Sequence, residues 1–196
     1  MMTSSIYLAS RSPRRAELLE QIGVQFIVLP PDIDESEREN EDPAAYVLRL
    51  AKTKAEACMQ MIAHGNLEIR PVLAADTTVC IDGSILGKPR DASEARDMLQ
   101  RMSGRRHEVL TGLAVATGQD VQTSISVTHV EMAVLTVDEI EAYISSGEPF
   151  DKAGAYGIQG LASTFIKRIE GSYSGVMGLP IYETALLLRR AGIRIL

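Results

Sequence analysis

The stretch VLAADTTVCI, residues 72–81, constrains this chain more than any other. It follows Pro71, is almost unbroken in its apolar and β-branched character, and suits a strand buried on both faces. Such a strand needs helices on either side of its sheet, which points to an α/β fold. Asp82-Gly83 closes it with a residue pair favoured in two-residue hairpin turns, so an antiparallel neighbour over Ile85-Leu86 is expected next. Asp76 breaks the pattern. A carboxylate in the middle of the run needs a cation, a metal or a proton-transfer partner, or else it serves as a structural hydrogen-bond anchor.

Elsewhere helical and strand-like segments alternate with no long polar linker, low-complexity stretch or repeat, so one domain is expected over 1–196. Strands are expected over Ile6 to Ala9 and Gln25 to Leu29. Between them a helix runs from Ser12-Pro13 to Ile22, with Gly23 as its stop. Asp42-Pro43 opens a long helix to His64. A helix over 91–103 precedes two β-branched segments, 106–117 and 121–135, joined by a turn at Thr117-Gly118-Gln119-Asp120. Thr136 caps a helix over VDEIEAYIS, the glycine-rich DKAGAYGIQG precedes a strand at 161–170, and a last helix runs from Pro180 to Ala191. Crossovers mixed with hairpins predict a mixed β-sheet with flanking helices rather than a purely parallel one.

With 45% apolar and 23% charged residues the core needs no disulfide staples, and the two cysteines, Cys58 and Cys80, lack neighbours at zinc-binding spacing. Both read as buried thiols of a reducing compartment. MMTSSIYLASRSPRR has no basic-then-apolar leader and the chain has no apolar run of ~18 residues, so a cytoplasmic protein with no membrane partner is expected. The balance of 20 Lys+Arg against 26 Asp+Glu, a net −6, argues against broad nucleic-acid binding but leaves room for a local basic site.

The first helix carries Arg14 and Arg15 in its opening turn, where the positive end of the helix dipole disfavours cations. Either both are solvated, or they join the turn Ser10-Arg11-Ser12, at the carboxyl end of a strand, in an anion site. In the long helix Val47, Ala51, Ala55, Cys58 and Ile62 form one apolar stripe. Lys54 falls inside it, about 20° from Val47, and Lys52 outside. Lys54 either snorkels to the surface or projects inward to a cleft. The hairpin places Lys88 opposite Thr77 and beside Asp76, with an exposed strand-end lysine as the plain alternative. Asp34 and Glu35 end the segment PPDIDE, and with Asp76 could give oxygen ligands to magnesium or manganese, although acidic loops are usually only solvated. Other chemistries are poorly served. There is no Walker loop and no GxSxG elbow, and HEVL at 107–110 is not the HExxH zinc motif.

LASRSPRRAELL, Glu35, LAKTKA, AADTTV, GKPRD, SGRRHEVLTG, DKAGAYGIQG and GSYSGVMGLP occur in this order along essentially the full length. On these strings the chain resembles the Maf family of nucleoside triphosphate pyrophosphatases. The resemblance implies a Maf/ITPase-like α/β fold with two lobes around a central cleft, a homodimer, a divalent metal cation (Mg or Mn), and hydrolysis of a nucleotide to its monophosphate plus pyrophosphate. It matches Asp76 to the proton acceptor, and Ser10, Arg14, Arg15, Glu35, Lys54 and Lys88 to polar cleft residues. Glu35 is thereby expected on the metal together with Asp76. Arg14, Thr77 and Gln159 match the positions associated with the branch acting on dTTP and UTP. The Gln159 amide offers one donor and one acceptor that can pair with O4 and N3–H of uracil or thymine. The sister branch that prefers 7-methyl-GTP looks different in the first motif and around Gln159. Met177 stands where the closing motif more often has valine, and Ser174-Gly175 replace a bulkier pair. Asp76 also weighs against a noncatalytic nucleotide-binding regulator of cell division: a hydrolase needs a carboxylate to hold metal or activate water, and a pure binding module gains nothing from one beside phosphates.

Overall fold

The computed structural model describes residues 5–118 and 120–195. In chain order the elements are β1 (Ser5–Leu8), α1 (Pro13–Gln21), β2 (Gln25–Val28), α2 (Pro43–His64), β3 (Val72–Ile81), β4 (Ser84–Leu86), α3 (Ala92–Met102), β5 (Arg106–Thr117), β6 (Asp120–Met132), α4 (Val137–Ser145), β7 (Ile166–Glu170), α5 (Tyr173–Val176) and α6 (Ile181–Arg190). The strands form one sheet in the order β2-β1-β3-β5-β6-β7, with β4 also against β3. Strands β2, β1 and β3 run parallel and the remaining pairs antiparallel, so the sheet is mixed. Among the described residues no helix is long and apolar enough to cross a membrane.

Local chemistry sets the element ends. The Asp42 carboxylate accepts from the amides of Ala44 and Ala45 at 2.9 and 3.2 Å, and Pro43 takes the first helical position of α2, where its missing N–H costs nothing. Thr136 and Glu139 form a reciprocal capping box at α4. Asp82 and Gly83 both have positive φ, 54° and 72°, the conformation that a tight hairpin between twisted strands requires. Of the second expected turn, Gln119 lies outside the described residues, as do residues 1–4 and 196.

Pairing along β3 is uneven. On one side β5 accompanies it from Val72 to Cys80. On the other, β1 pairs only at Val72 and Leu73, and β4 only from Val79 to Ile81, so residues 74–78 have no strand partner there. The sheet is split at Asp76. Side chains alternate across it as a pleated strand demands: Val72 and Ala74 pack with Ala51, Ala55 and Cys58 of α2, and Leu73 and Ala75 with Leu18 and Leu19 of α1 and Leu188 of α6. By the same alternation Asp76 faces α2 and Thr77 faces α1. Another core, built on Leu99, Met102, Met132, Ile140, Tyr143 and Tyr156, lies beyond the split. The two cores make two lobes with the split between them.

Three expectations needed correction. β6 stops at Met132 rather than 135, because the amides of Ala133 and Leu135 are taken by Phe165 O and Ser103 Oγ, both at 2.7 Å. Residues 161–165 form a 3-10 turn, with Ser163 N on Gly160 O and Thr164 Oγ1 on Leu161 O, so the strand begins only at Ile166. The hairpin register is as expected through Val79 and Leu86 but ends there. Gly87 O accepts from Gly154 N instead, and Lys88 never pairs with Thr77.

Candidate active site

A cleft of about 960 Å³ opens at the split. Ser10, Arg14 and Arg15 reach it from the end of β1 and the start of α1, and Glu35 from the loop before α2. Lys54 comes from α2, Asp76 and Thr77 from β3, Lys88 from the segment after β4, and Gln159 from the loop between α4 and β7.

Asp76 is only 7% exposed. Lys54 Nζ donates to its Oδ1 at 2.7 Å and lies 2.8 Å from Glu35 Oε1, with 11% of the lysine side chain exposed. Of the two readings left open for Lys54, the structure therefore shows the inward one. Burial raises the Asp76 carboxyl above its ordinary value, against the pull of Lys54 and Arg15 toward the charged form. Arg15 is equally committed: it donates from Nε to Gly178 O at 2.8 Å, from Nη1 to Ser10 Oγ at 3.0 Å and from Nη2 to Thr77 Oγ1 at 3.2 Å. Gly178 has φ +110°, which a side chain rarely adopts, and it lets the chain before α6 lie against this guanidinium. Arg14 is freer, 36% exposed and 3.9 Å from Asp151 across the cleft. Lys88 and Gln159 are exposed on the cleft walls.

The acidic loop is tied to α2. Tyr46 donates to Glu35 O at 3.0 Å, and Arg49 donates to Ser36 O at 3.1 Å while gripping Glu41 with two N–H groups. Burial first, then Asp76 and Glu35, push the Tyr46 phenol up to about 12, which keeps it a donor. Asp34 turns back on its own loop, accepting from Ser36 N and Oγ at 2.9 and 2.6 Å, and is not among the cleft residues. The expected acidic trio is thus a pair, Glu35 and Asp76. Among the described residues no three His, Cys, Asp or Glu side chains converge as a metal cage. Two carboxylates facing one cation still fit magnesium or manganese, which commonly take one or two carboxylates and complete their shell with phosphate oxygens and water.

Other cleft residues were passed over at the level of sequence. Glu148 accepts from Tyr143 Oη at 3.0 Å through Oε1 and from Leu161 N at 2.8 Å through Oε2. Its carboxylate lies so close to Gly160 that a Cβ there would sit 2.2 Å from Oε1. The loop carrying Gln159 is held by this clamp. Tyr156, on the same wall, shares a 2.8 Å hydrogen bond with His107 Nε2. The crowding of glycines at 154, 157 and 160 was the one signal available for such close packing.

A mixed sheet split over a buried carboxylate, with cations from several elements around the split, defines a protein built to receive a polyanion. The chain belongs to the Maf family, the model of the Maf-like protein matching residues 5–191. A dTTP/UTP pyrophosphatase of Methylobacillus flagellatus is 60% identical over 190 residues, 97% of this chain and 94% of its own. One of the same name from Chromobacterium violaceum is 55% identical over 97% of this chain and 96% of its own. Among solved structures, the Ham1 protein of Staphylococcus aureus shares 15% identity over 66% of this chain and 72% of its own, with a TM-score of 0.46, too distant to add to the fold described above.

Proposed function

We propose that this chain hydrolyses dTTP and UTP to the nucleoside monophosphate and pyrophosphate in the cleft over Asp76. The observation that carries the reading is Asp76 itself, a buried carboxylate raised by burial and held 2.7 Å from an ammonium at the floor of a cation-lined cleft. The activity named for relatives at 60% and 55% identity supports it. A carboxylate with a raised pKa is a stronger base than a free one, and Lys54 pulls it toward the charged form. Asp76 takes the proton of a water attacking the α-phosphorus, the bond to the α–β bridging oxygen breaks, and pyrophosphate leaves. Arg14, Lys54 and Lys88 meet the charge gathering on the leaving group. Arg15, with three of its five N–H groups engaged, adds its charge to theirs and holds Ser10 and Thr77 in place. Asp76 and Glu35 would hold a divalent cation, which when bound supplies further positive charge beside the phosphates. The Gln159 amide reads the base edge. In this reading the enzyme works in the cytoplasm, and as a homodimer, as the family resemblance implies.

The test is pyrophosphate release by Asp76→Asn, which keeps shape and removes the charge. Turnover should fall by ~10² or more with the melting transition retained. Near-normal release from the folded variant would remove Asp76 from the chemistry, and orthophosphate as the product would move the cleavage to another bond.

A further inference from the structure

Thr77 and Thr111 are register partners across β3 and β5, with their Oγ1 atoms 2.9 Å apart. Thr111 is fully buried and its Oγ1 also lies 2.8 Å from Gly175 O, while Thr77 Oγ1 lies 3.2 Å from Arg15 Nη2. Counting protons orders this chain. A carbonyl oxygen only accepts, so Thr111 gives its one hydroxyl proton to Gly175. Its Oγ1 must then accept from Thr77, whose own proton is thereby used. A guanidinium only donates, so Arg15 fills one lone pair of Thr77 Oγ1. Arg15 cannot turn away easily, since Gly178 O and Ser10 Oγ hold its other nitrogens. What is left of the Thr77 hydroxyl is a single lone pair, and Thr77, unlike Thr111, lines the cleft.

We infer that Thr111 is a positioning residue for substrate selection: it fixes Thr77 as an acceptor that cannot donate, so the substrate group facing Thr77 must be a hydrogen-bond donor. The inference rests on the nucleotide reading above. In a pyrimidine nucleotide that donor is the imide N3–H of uracil or thymine, or a sugar hydroxyl. A freely rotating hydroxyl suits donors and acceptors alike and discriminates weakly. One whose proton is held turns an acceptor away, because two lone pairs then face each other without water between them. Thr111 touches no substrate in this scheme and acts only through Thr77. Its hydroxyl can be removed with little collateral loss, because Gly175 O also accepts from Gly178 N at 3.0 Å.

The experiment compares kcat/KM for UTP, CTP and 3′-deoxy-3′-fluoro-UTP in the wild type, Thr111→Val and Thr111→Ser, with melting temperatures alongside. Cytosine presents an acceptor at N3, and the fluorine fills the hydroxyl's place without donating. The wild type should prefer UTP over at least one of the two. In Thr111→Val that preference should shrink by roughly threefold to tenfold, the scale of one hydrogen bond, and Thr111→Ser should retain it. A change in the CTP ratio assigns the donor to the imide, and a change in the fluoro ratio assigns it to the sugar. Thr111→Ala repeats the measurement if the valine variant does not fold. Wild-type ratios in a folded variant lacking the hydroxyl, or an equal loss of rate on all three substrates, would make Thr111 a merely structural residue and overturn the inference. A wild type with no preference for UTP would overturn it as well. A wild type releasing no pyrophosphate from UTP would overturn the nucleotide reading itself, and the inference with it.

Discussion

Asp76 and Arg15 are opposite charges placed on opposite faces of one strand position and its neighbour, and each is held by hydrogen bonds to groups that come from other elements. The arrangement favours function over stability at Asp76. Its carboxyl binds a proton more tightly in the folded chain than in the unfolded one, because burial outweighs Lys54 and Arg15. The sign follows: the ionised group costs stability above the ordinary carboxylate range, and the cost disappears as pH falls and the carboxyl protonates. Asp76→Asn should therefore melt higher than the wild type at pH 7, by an amount that declines toward zero in acid. Lys54 keeps Glu35 as a partner at 2.8 Å in that variant, and Arg15, which loses the nearby charge of Asp76, keeps its hydrogen bonds to Gly178, Ser10 and Thr77. Thermal melts of both proteins across the acidic range check this, and a variant that melts lower at pH 7 would mean that Asp76 is chiefly a structural anchor.

At the scale of elements, the position of α2 decides whether Lys54 reaches Asp76. Gly112, the register partner of Asp76 on β5, makes this possible: a Cβ there would lie 2.5 Å from Val47 O and 2.6 Å from Val47 C, backbone atoms that cannot step aside without the helix. Gly112→Ala should lift α2, lower stability by about 1–3 kcal/mol as overpacking does, and lengthen the Lys54 contact. With its cation withdrawn Asp76 titrates higher still, so the acidic limb of the pH–rate profile should move up while the maximal rate falls about tenfold. A loss of stability with an unmoved limb would separate Gly112 from the site. What could be read before the structure follows the same division between local and remote causes. β3, the Asp42-Pro43 start of α2 and the Asp82-Gly83 turn were legible because period, cap and turn residue act over a few positions. The end of β6, the 3-10 start before β7 and the departure of Lys88 from the hairpin were not, since each depends on which distant group takes one backbone N–H or C=O. In the cleft, Asp76 and Lys54 stood out by breaking an apolar pattern. Thr111, Tyr143 and Tyr156 fit the patterns of the elements that carry them and gave no such signal. The parts assigned to Arg14 and Thr77 in base selection came from family resemblance alone, and only at Gln159 did side-chain chemistry add to it.

For the molecule as a whole, the second lobe carries a buried imidazole that ties stability to pH. His107, on β5, is 2% exposed, meets Tyr156 edge to face with ring centroids 5.4 Å apart, and shares the 2.8 Å hydrogen bond with its hydroxyl, while Nδ1 has no hydrogen-bond partner among the described residues. Burial pulls its pKa down from 6.5 to about 4. The folded chain thus holds the neutral ring while the unfolded chain takes up a proton, so the contribution of His107 is complete above pH 6.5 and is lost as pH falls toward 4. Over that window the loss reaches roughly 3 kcal/mol, a large share of the 5–15 kcal/mol by which domains are ordinarily stable. Asp76 acts in the opposite direction in acid, so the two are best separated in the Asp76→Asn background. There, the free energy of urea unfolding should decline from pH 6.5 to 4, and His107→Gln, which leaves Tyr156 a polar partner that does not titrate in this range, should flatten the decline. Because Tyr156 lines the cleft, protonation of His107 disturbs the cleft wall as well as the core behind it. The binding of a nucleotide to the folded chain should then weaken only near pH 4, where the folded ring itself takes up a proton, while stability declines already from pH 6.5, and an unfolding curve as steep in His107→Gln as in its parent would show that acid acts on this molecule elsewhere.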